Sequence, residues 1–152
     1  MTTNAKSFQG LLLDHFAVQL NKVRVATVQE ISGFALRQRV VTVRQLNSRG
    51  QIMEYNQPAG KELTGEITLS RVMDMSKDLL MWLEDSMDFK DVRQTATITM
   101  FTPQRKEAHK FHLANALPVQ WSMSPLSATS AGAPAVESIT IRYDQMVVDR
   151  SK

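Results

Sequence analysis

Hydrophobic and polar positions alternate with a period of two over most of this chain, the spacing of strands with one buried and one wet face. The cleanest run is 63–71, where Leu63, Gly65, Ile67 and Leu69 alternate with Thr64, Glu66, Thr68 and Ser70. The pattern returns at 94–101, with Ala96, Ile98 and Met100 opposite Thr95, Thr97 and Thr99. It returns again at 136–148, where Ile139, Ile141 and Tyr143 alternate with Thr140, Arg142 and Asp144. Nearer the start, 15–20 predicts a strand through Phe16, Val18 and Leu20, Asn21-Lys22 a tight turn, and 23–28 a short returning strand. Ser32-Gly33 breaks the pattern. From 34 to 46 the chain reads as one long extended segment, because Val40-Val41-Thr42-Val43 is a poor helix and a good strand. Both faces of that segment are mixed, which predicts cover on one side and a polar contact on the other.

One stretch changes period. Asp74 or Ser76 can cap a helix running to about Met87, with Leu79, Leu80, Leu83 and Met87 as its apolar stripe and Trp82 to one side. Residues 47–62 are the least regular part, carrying Asn47, Gly50, Asn56, Pro58 and Gly60 among Ile52, Met53 and Tyr55. They predict a long loop, of a length that is uncommon in a compact domain and often functional. Its apolar residues pack either on their own domain or on another subunit. Further on, Thr102-Pro103-Gln104-Arg105 has proline at the second position of a turn, so 108–113 pairs back as a hairpin. Pro118 fixes its own φ and donates no hydrogen bond, which suits a strand start, a bulge or an edge. A tract of small residues at 122–135 then links to the last strand. The expected fold is one mainly β domain over 1–152 with one inserted α-helix, closed as an antiparallel sandwich or barrel to leave few edges free. Residues 1–12 are expected to form a flexible N-terminal arm.

Composition narrows the function by exclusion. The chain has 152 residues, 43% of them hydrophobic, as in an ordinary globular domain. It has no cysteine, so disulfides and thiolate metal sites are ruled out. No apolar run reaches a membrane span or a signal h-region, which predicts a soluble, unprocessed chain without a membrane anchor. His109 and His112 are three apart on an expected strand and so point to opposite faces, a poor chelating pair. No nucleophile motif, phosphate loop or dinucleotide fingerprint occurs, and Glu84, Asp85 and Asp88 read as a solvated helix face. The expectation is therefore no catalytic, metal or cofactor site and no enzyme. Phe34, Phe101, Phe111 and Tyr143 read as core residues, and the nine methionines as adaptable packing. A net charge of +3 leaves room for a sheet-based binding module for an anionic polymer such as nucleic acid. The threonine-rich faces suit either bulk water or, if several chains close a larger barrel, a water-filled lumen.

Three motifs in order are more specific. Gly65-Glu66-Ile67-Thr68-Leu69-Ser70-Arg71, the helix with Leu80-Met81-Trp82-Leu83, and Asn115-Ala116-Leu117-Pro118-Val119-Gln120-Trp121 precede a Glu-containing last strand, Val136-Glu137-Ser138-Ile139-Thr140-Ile141. Over nearly the whole chain this resembles the tail tube proteins of contractile phages and the inner-tube proteins of phage-tail-like contractile injection systems. The resemblance implies a small antiparallel β-sandwich or split barrel with a flanking helix. It implies hexameric rings, with a continuous luminal β-barrel, that stack into a hollow tube conducting cargo or DNA and driven through a target envelope when a sheath contracts. Loop 47–62 would bridge neighbouring rings through Ile52, Met53, Tyr55 and Asn56. Thr64, Glu66, Thr68, Ser70, Thr95, Thr97, Thr99, Thr140, Arg142 and Asp144 would be the lumen-facing candidates. Implied partners are further copies of the chain, a sheath protein, baseplate or hub and tube-terminating proteins, and a luminal cargo or tape-measure protein; nucleic acid would be a partner only in a phage tail. Assembly would take place in the bacterial cytoplasm, into a phage tail or a tail-like particle that can be released from the cell.

Overall fold

The computed structural model describes residues 10–21, 23–62, 64–129 and 131–149. In chain order the elements are β1 (Phe16–Leu20), β2 (Val23–Arg24), β3 (Val28–Ser32), β4 (Arg37–Leu46), β5 (Ile52–Glu62), β6 (Gly65–Val72), α1 (Asp78–Met87), β7 (Gln94–Phe101), β8 (Glu107–Met123), β9 (Val136–Tyr143) and β10 (Gln145–Val148). Eight strands form one antiparallel sheet in the order β2-β1-β7-β8-β9-β6-β3, with β10 joined to β8; β4 and β5 form a separate pair.

The large sheet doubles over through β8, so the mainly β sandwich or split barrel expected from the sequence is what forms. Residues 107–116 of β8 pair with β7 and β10, whereas 117–123 pair with β9. Asn115 sits at the change with φ 53°, and its Nδ2 donates to Asp144 Oδ2 at 3.1 Å, where β9 gives way to β10. Two chain segments thus cross between layers at one pinned corner. Between the layers lie Val18, Ala96, Ile98, Leu113 and Met146 from one side and Ile67, Leu69, Ile139, Ile141 and Tyr143 from the other. Helix α1 packs across β8 and contributes Leu79 and Trp82 to the same core.

Several expectations are corrected. The run 23–28 is no single strand: Thr27 adopts φ 59°, which ends β2 early and lets β3 start afresh and pair with β6. The long segment begins as a strand only at Arg37, and 47–62 is not a loop, because all of it beyond a short tip belongs to β5. Residues 115–121 do not begin a strand but lie inside the 17-residue β8. Pro118 is nevertheless accommodated as its chemistry requires, beside a bulge at Val119 where β8 has β9 alone as neighbour. The last run splits at Asp144. The helix starts at Asp78 after Lys77, while Asp74 and Ser76 accept backbone N–H bonds in the turn before it. Trp82, not Met87, completes its buried stripe. Of the aromatic set, Tyr143 is buried but Phe34 is half exposed, and Met53, Met75, Met81, Met87 and Met123 face outward instead of packing inside. Residues 1–9 of the expected flexible arm, Lys22 of the turn and Leu63 of the first clean strand lie outside the described residues.

Gly33 controls how the chain leaves β3 towards β4. Its φ is +97°, and a Cβ there would lie 2.7 Å from the Glu66 carbonyl oxygen and 3.3 Å from Ile67 Cα, backbone atoms that cannot swing away. Gly33→Ala is therefore expected to destabilise the fold by about 1–3 kcal/mol, the cost of a strained φ with a clash added. Urea denaturation measures it directly.

Candidate functional site

The β4–β5 pair projects as an arm. Ten register pairs run from Arg37↔Glu62 to Leu46↔Ile52, with one bulge where Arg39 pairs with Gly60 and Val40 with Pro58, leaving Ala59 over. At about 3.3 Å per residue the arm is about 33 Å long. Its tip is built by Asn47, whose Oδ1 accepts the N–H groups of Arg49 and Gln51, both at 2.9 Å, and by Gly50 at φ 73°. Along one face run Val40, Thr42, Arg44 and Leu46 with Pro58, Asn56, Glu54 and Ile52, tied by a Thr42–Asn56 hydrogen bond of 3.2 Å and an Arg44–Glu54 ion pair of 2.7 Å. Val41, Val43 and Gln45 with Gln57, Tyr55 and Met53 form the other. The four residues expected to bridge rings thus divide, Ile52 and Asn56 to the first face, Met53 and Tyr55 to the second.

Neither face is covered. Leu36, Val40, Val41, Leu46, Ile52, Met53 and Tyr55 are all exposed. A two-stranded ribbon is marginal in water by itself, and this much exposed apolar surface marks an interaction site. Charge separates along the same line. Residues 37–62 hold five basic side chains (Arg37, Arg39, Arg44, Arg49, Lys61) and two acidic ones (Glu54, Glu62), a net +3. The remaining 13 basic and 13 acidic residues of the chain cancel, so the whole net charge of +3 belongs to the arm.

The second surface is the outer face of β3, β6, β9 and the end of β8. Across β6 and β9, facing pairs bond side chain to side chain: Glu66 with Arg142 (Nε to Oε1 2.9 Å), Thr68 with Thr140 at 3.2 Å and Ser70 with Ser138 at 2.8 Å. Gln120 and Ser122 of β8 continue this face opposite Thr140 and Ser138, and Ser32 and Glu30 of β3 continue it opposite Thr68 and Ser70. Five of the lumen candidates, Glu66, Thr68, Ser70, Thr140 and Arg142, are therefore brought together. Thr64 precedes β6 and is exposed, and Asp144 sits at the corner. Thr95, Thr97 and Thr99 are on the other layer, where Thr97 bonds His112 Nδ1 at 3.2 Å and Thr99, paired with Ala17 and Lys110, is buried. The two threonine sets occupy opposite outer faces of the sandwich.

Between these surfaces lies a group that the pattern reading missed. Arg71 and Glu137 face each other across β6 and β9, each only 4% exposed, with Arg71 Nε 3.1 Å from Glu137 Oε1. Trp121 Nε1 donates to Glu137 Oε2 at 2.9 Å, and Arg71 Nη2 lies 2.5 Å from Asp74 Oδ1 just before the helix. Arg71 ends the first motif, Trp121 ends the third, and Glu137 marks the last strand, so the three segments meet in one buried clasp. Trp121 itself is only partly buried. The signal was available, since Arg71 keeps the phase of Ile67 and Leu69, and Glu137 that of Ile139 and Ile141. At the opposite end of the β6–β9 ladder, burial pushes the Tyr143 hydroxyl above its ordinary pKa, and a Cβ on Gly65 would run into that ring. No group of three His, Cys, Asp or Glu side chains that could hold a metal ion occurs among the described residues.

Comparison with known proteins completes the picture. A chain of an extracellular contractile injection system, solved as a PVC sheath-tube complex in the extended state, shares 17% identity over 98% of this chain and 99% of that one, with a TM-score of 0.76. A chain of the anti-feeding prophage tube-terminating cap shares 18% over 99% and 100%, with a TM-score of 0.75. A chain of the six-fold symmetrised anti-feeding prophage baseplate shares 19% over 98% and 97%, at 0.66. These likenesses show a common fold. No curated protein matches the chain significantly. The family model of the T4-like virus tail tube protein gp19 matches residues 14–147, nearly the entire length, and the chain is a member of that tail tube protein family.

Proposed function

We propose that this tail tube protein forms the inner tube of a contractile injection system or phage tail by closing into six-membered rings that stack through the arm. The observation that carries the reading is the arm itself, a 33 Å ribbon (about 3.3 Å per residue) exposed on both faces and attached to a body that holds a core of its own. A heterologous contact of this kind makes rings where its rotation closes and filaments where it does not. Concentrated protein is expected to show rings or tubes by negative-stain microscopy. A protein that stays monomeric at high concentration, and fails to co-assemble with sheath and baseplate, would overturn the reading. Tyr55→Asp should leave the monomer's circular dichroism and melting unchanged while suppressing tube growth, since it places a charge on the apolar face of the arm. Undiminished polymerisation would remove the arm from the stacking contact.

The lumen in this reading is lined by Glu66, Thr68, Ser70, Thr140 and Arg142. Their face is uniformly small and polar, and both of its edges, β3 and the second half of β8, lack an outer neighbour among the described residues, as continuation into adjacent subunits requires. A cysteine at Thr68, in a chain that has none, tests this. In assembled tubes Thr68→Cys should react with a small maleimide but be shielded from a polymer-linked one, whereas the monomer reacts with both. Equal labelling of tube and monomer by the large reagent would place this face outside. Partners in this role are sheath, baseplate and terminating proteins, in keeping with the complexes that hold the similar chains. A luminal cargo or tape-measure protein, cytoplasmic assembly and later release complete the reading. The role is structural and assigns no reaction to the chain.

A further inference from the structure

The body carries a groove that its own core leaves open. It lies where β1, β7 and β8 of one layer part from β3 of the other, has a volume of about 640 Å³, and is walled by Phe16, Ile31, Phe34, Met100 and Phe111. Phe34 and Phe111 meet there with ring centroids 5.5 Å apart, and exposed Gln29 and Glu30 stand among its lining residues. The arm ends in the complementary feature. Leu46 and Ile52, register partners on one face, are 71% and 70% exposed, with Arg44 and Arg49 beside them.

We propose that the arm tip, through Leu46 and Ile52, seats in this groove of a second copy of the chain. The inference rests on the tube reading and adds the receptor for the arm. The arm cannot fill its own groove as it stands: Phe34, in the groove wall, is three residues from the root of β4, and the tip lies about 33 Å along a straight ribbon from that root. Both surfaces are apolar, so their contact removes from water what each exposes alone. Charge agrees in sign, because the arm carries the chain's whole net +3 while the one charged residue lining the groove, Glu30, is acidic. A tip meeting a groove elsewhere on an identical chain is also heterologous, the type of contact that propagates from subunit to subunit.

Absence of native cysteine makes the test direct. The full chain carrying Ile52→Cys and Gln29→Cys is assembled, oxidised and run on a non-reducing gel, beside a control pairing Ile52→Cys with Ser127→Cys in the exposed loop after β8. Each single variant is first shown to form the same rings or tubes as the parent. The groove pair is expected to shift from monomer to a covalent ladder that collapses on reduction, and the control pair to stay monomeric. Rings or tubes without a ladder, or equal ladders for both pairs, would overturn the groove as receptor while leaving the tube reading intact. A groove filled by a different protein gives the first of these results. Failure of the parent chain to assemble at all would overturn both.

Discussion

Glu137→Ala is expected to lower the unfolding free energy by about 3–5 kcal/mol, because it strips a buried guanidinium of its facing carboxylate. Arg71 would keep as its one remaining carboxylate Asp74, a residue near half exposure that meets its Nη2. Trp121 would lose the acceptor for its indole N–H at the same time. Equilibrium urea denaturation of the monomer measures the loss. The companion experiment separates the cost of an orphaned charge from any net worth of the pair. Replacing both residues with apolar ones of similar size, Arg71→Met with Glu137→Leu, should recover most of the stability, as exchange of buried ion pairs for packed side chains often does. If the double variant were as unstable as Glu137→Ala, the clasp would be contributing through its geometry and not merely tolerating its own burial.

Trp82→Ala should cost about 3–5 kcal/mol by emptying the largest side chain on the inner face of the helix. Trp82 is 5% exposed, sits in the core with Leu79, and donates its indole N–H to the Val92 carbonyl at 2.7 Å. That bond ties the helix to the segment leading into β7, so the variant should also loosen the chain around 88–93. Trp82→Phe keeps most of the apolar volume and loses the hydrogen bond, and should cost about 1–2 kcal/mol less than the alanine. Trp121→Ala is expected to fall well below Trp82→Ala, because Trp121 is only partly buried. Thermal melts of the three variants give the order.

The regular strands were legible because a sheet wet on one side writes its two faces into alternate residues, as at Ile67, Leu69, Ile139 and Ile141. The arm was not, for a related reason. A ribbon exposed on both faces in the single chain has no inside to mark, and Asn56, Pro58 and Gly60 read as loop residues although the bulge at Ala59 absorbs them within a strand. The continuity of β8 was hidden by Asn115 and Pro118, whose local preferences are satisfied at the corner and at the Val119 bulge. Five of the ten lumen candidates share one face, but alternation cannot tell which outer face of a two-layer fold a threonine occupies. Arg71 and Glu137 were hidden in plain view, since charged residues in phase with a buried stripe are passed over unless their partner is sought on the neighbouring strand.

The bend of β8 from one layer to the other has a mechanical meaning. Layers joined only by side-chain packing can slide under shear, since dispersion contacts are individually weak and re-form one notch along. Here the main chain itself crosses between them, and the return at Asp144 crosses beside it, held by the bond from Asn115. Force applied to one layer passes to the other as tension along covalent bonds and as load on laddered hydrogen bonds. Sliding one layer past the other therefore requires breaking laddered hydrogen bonds at this corner and not merely shifting side-chain contacts.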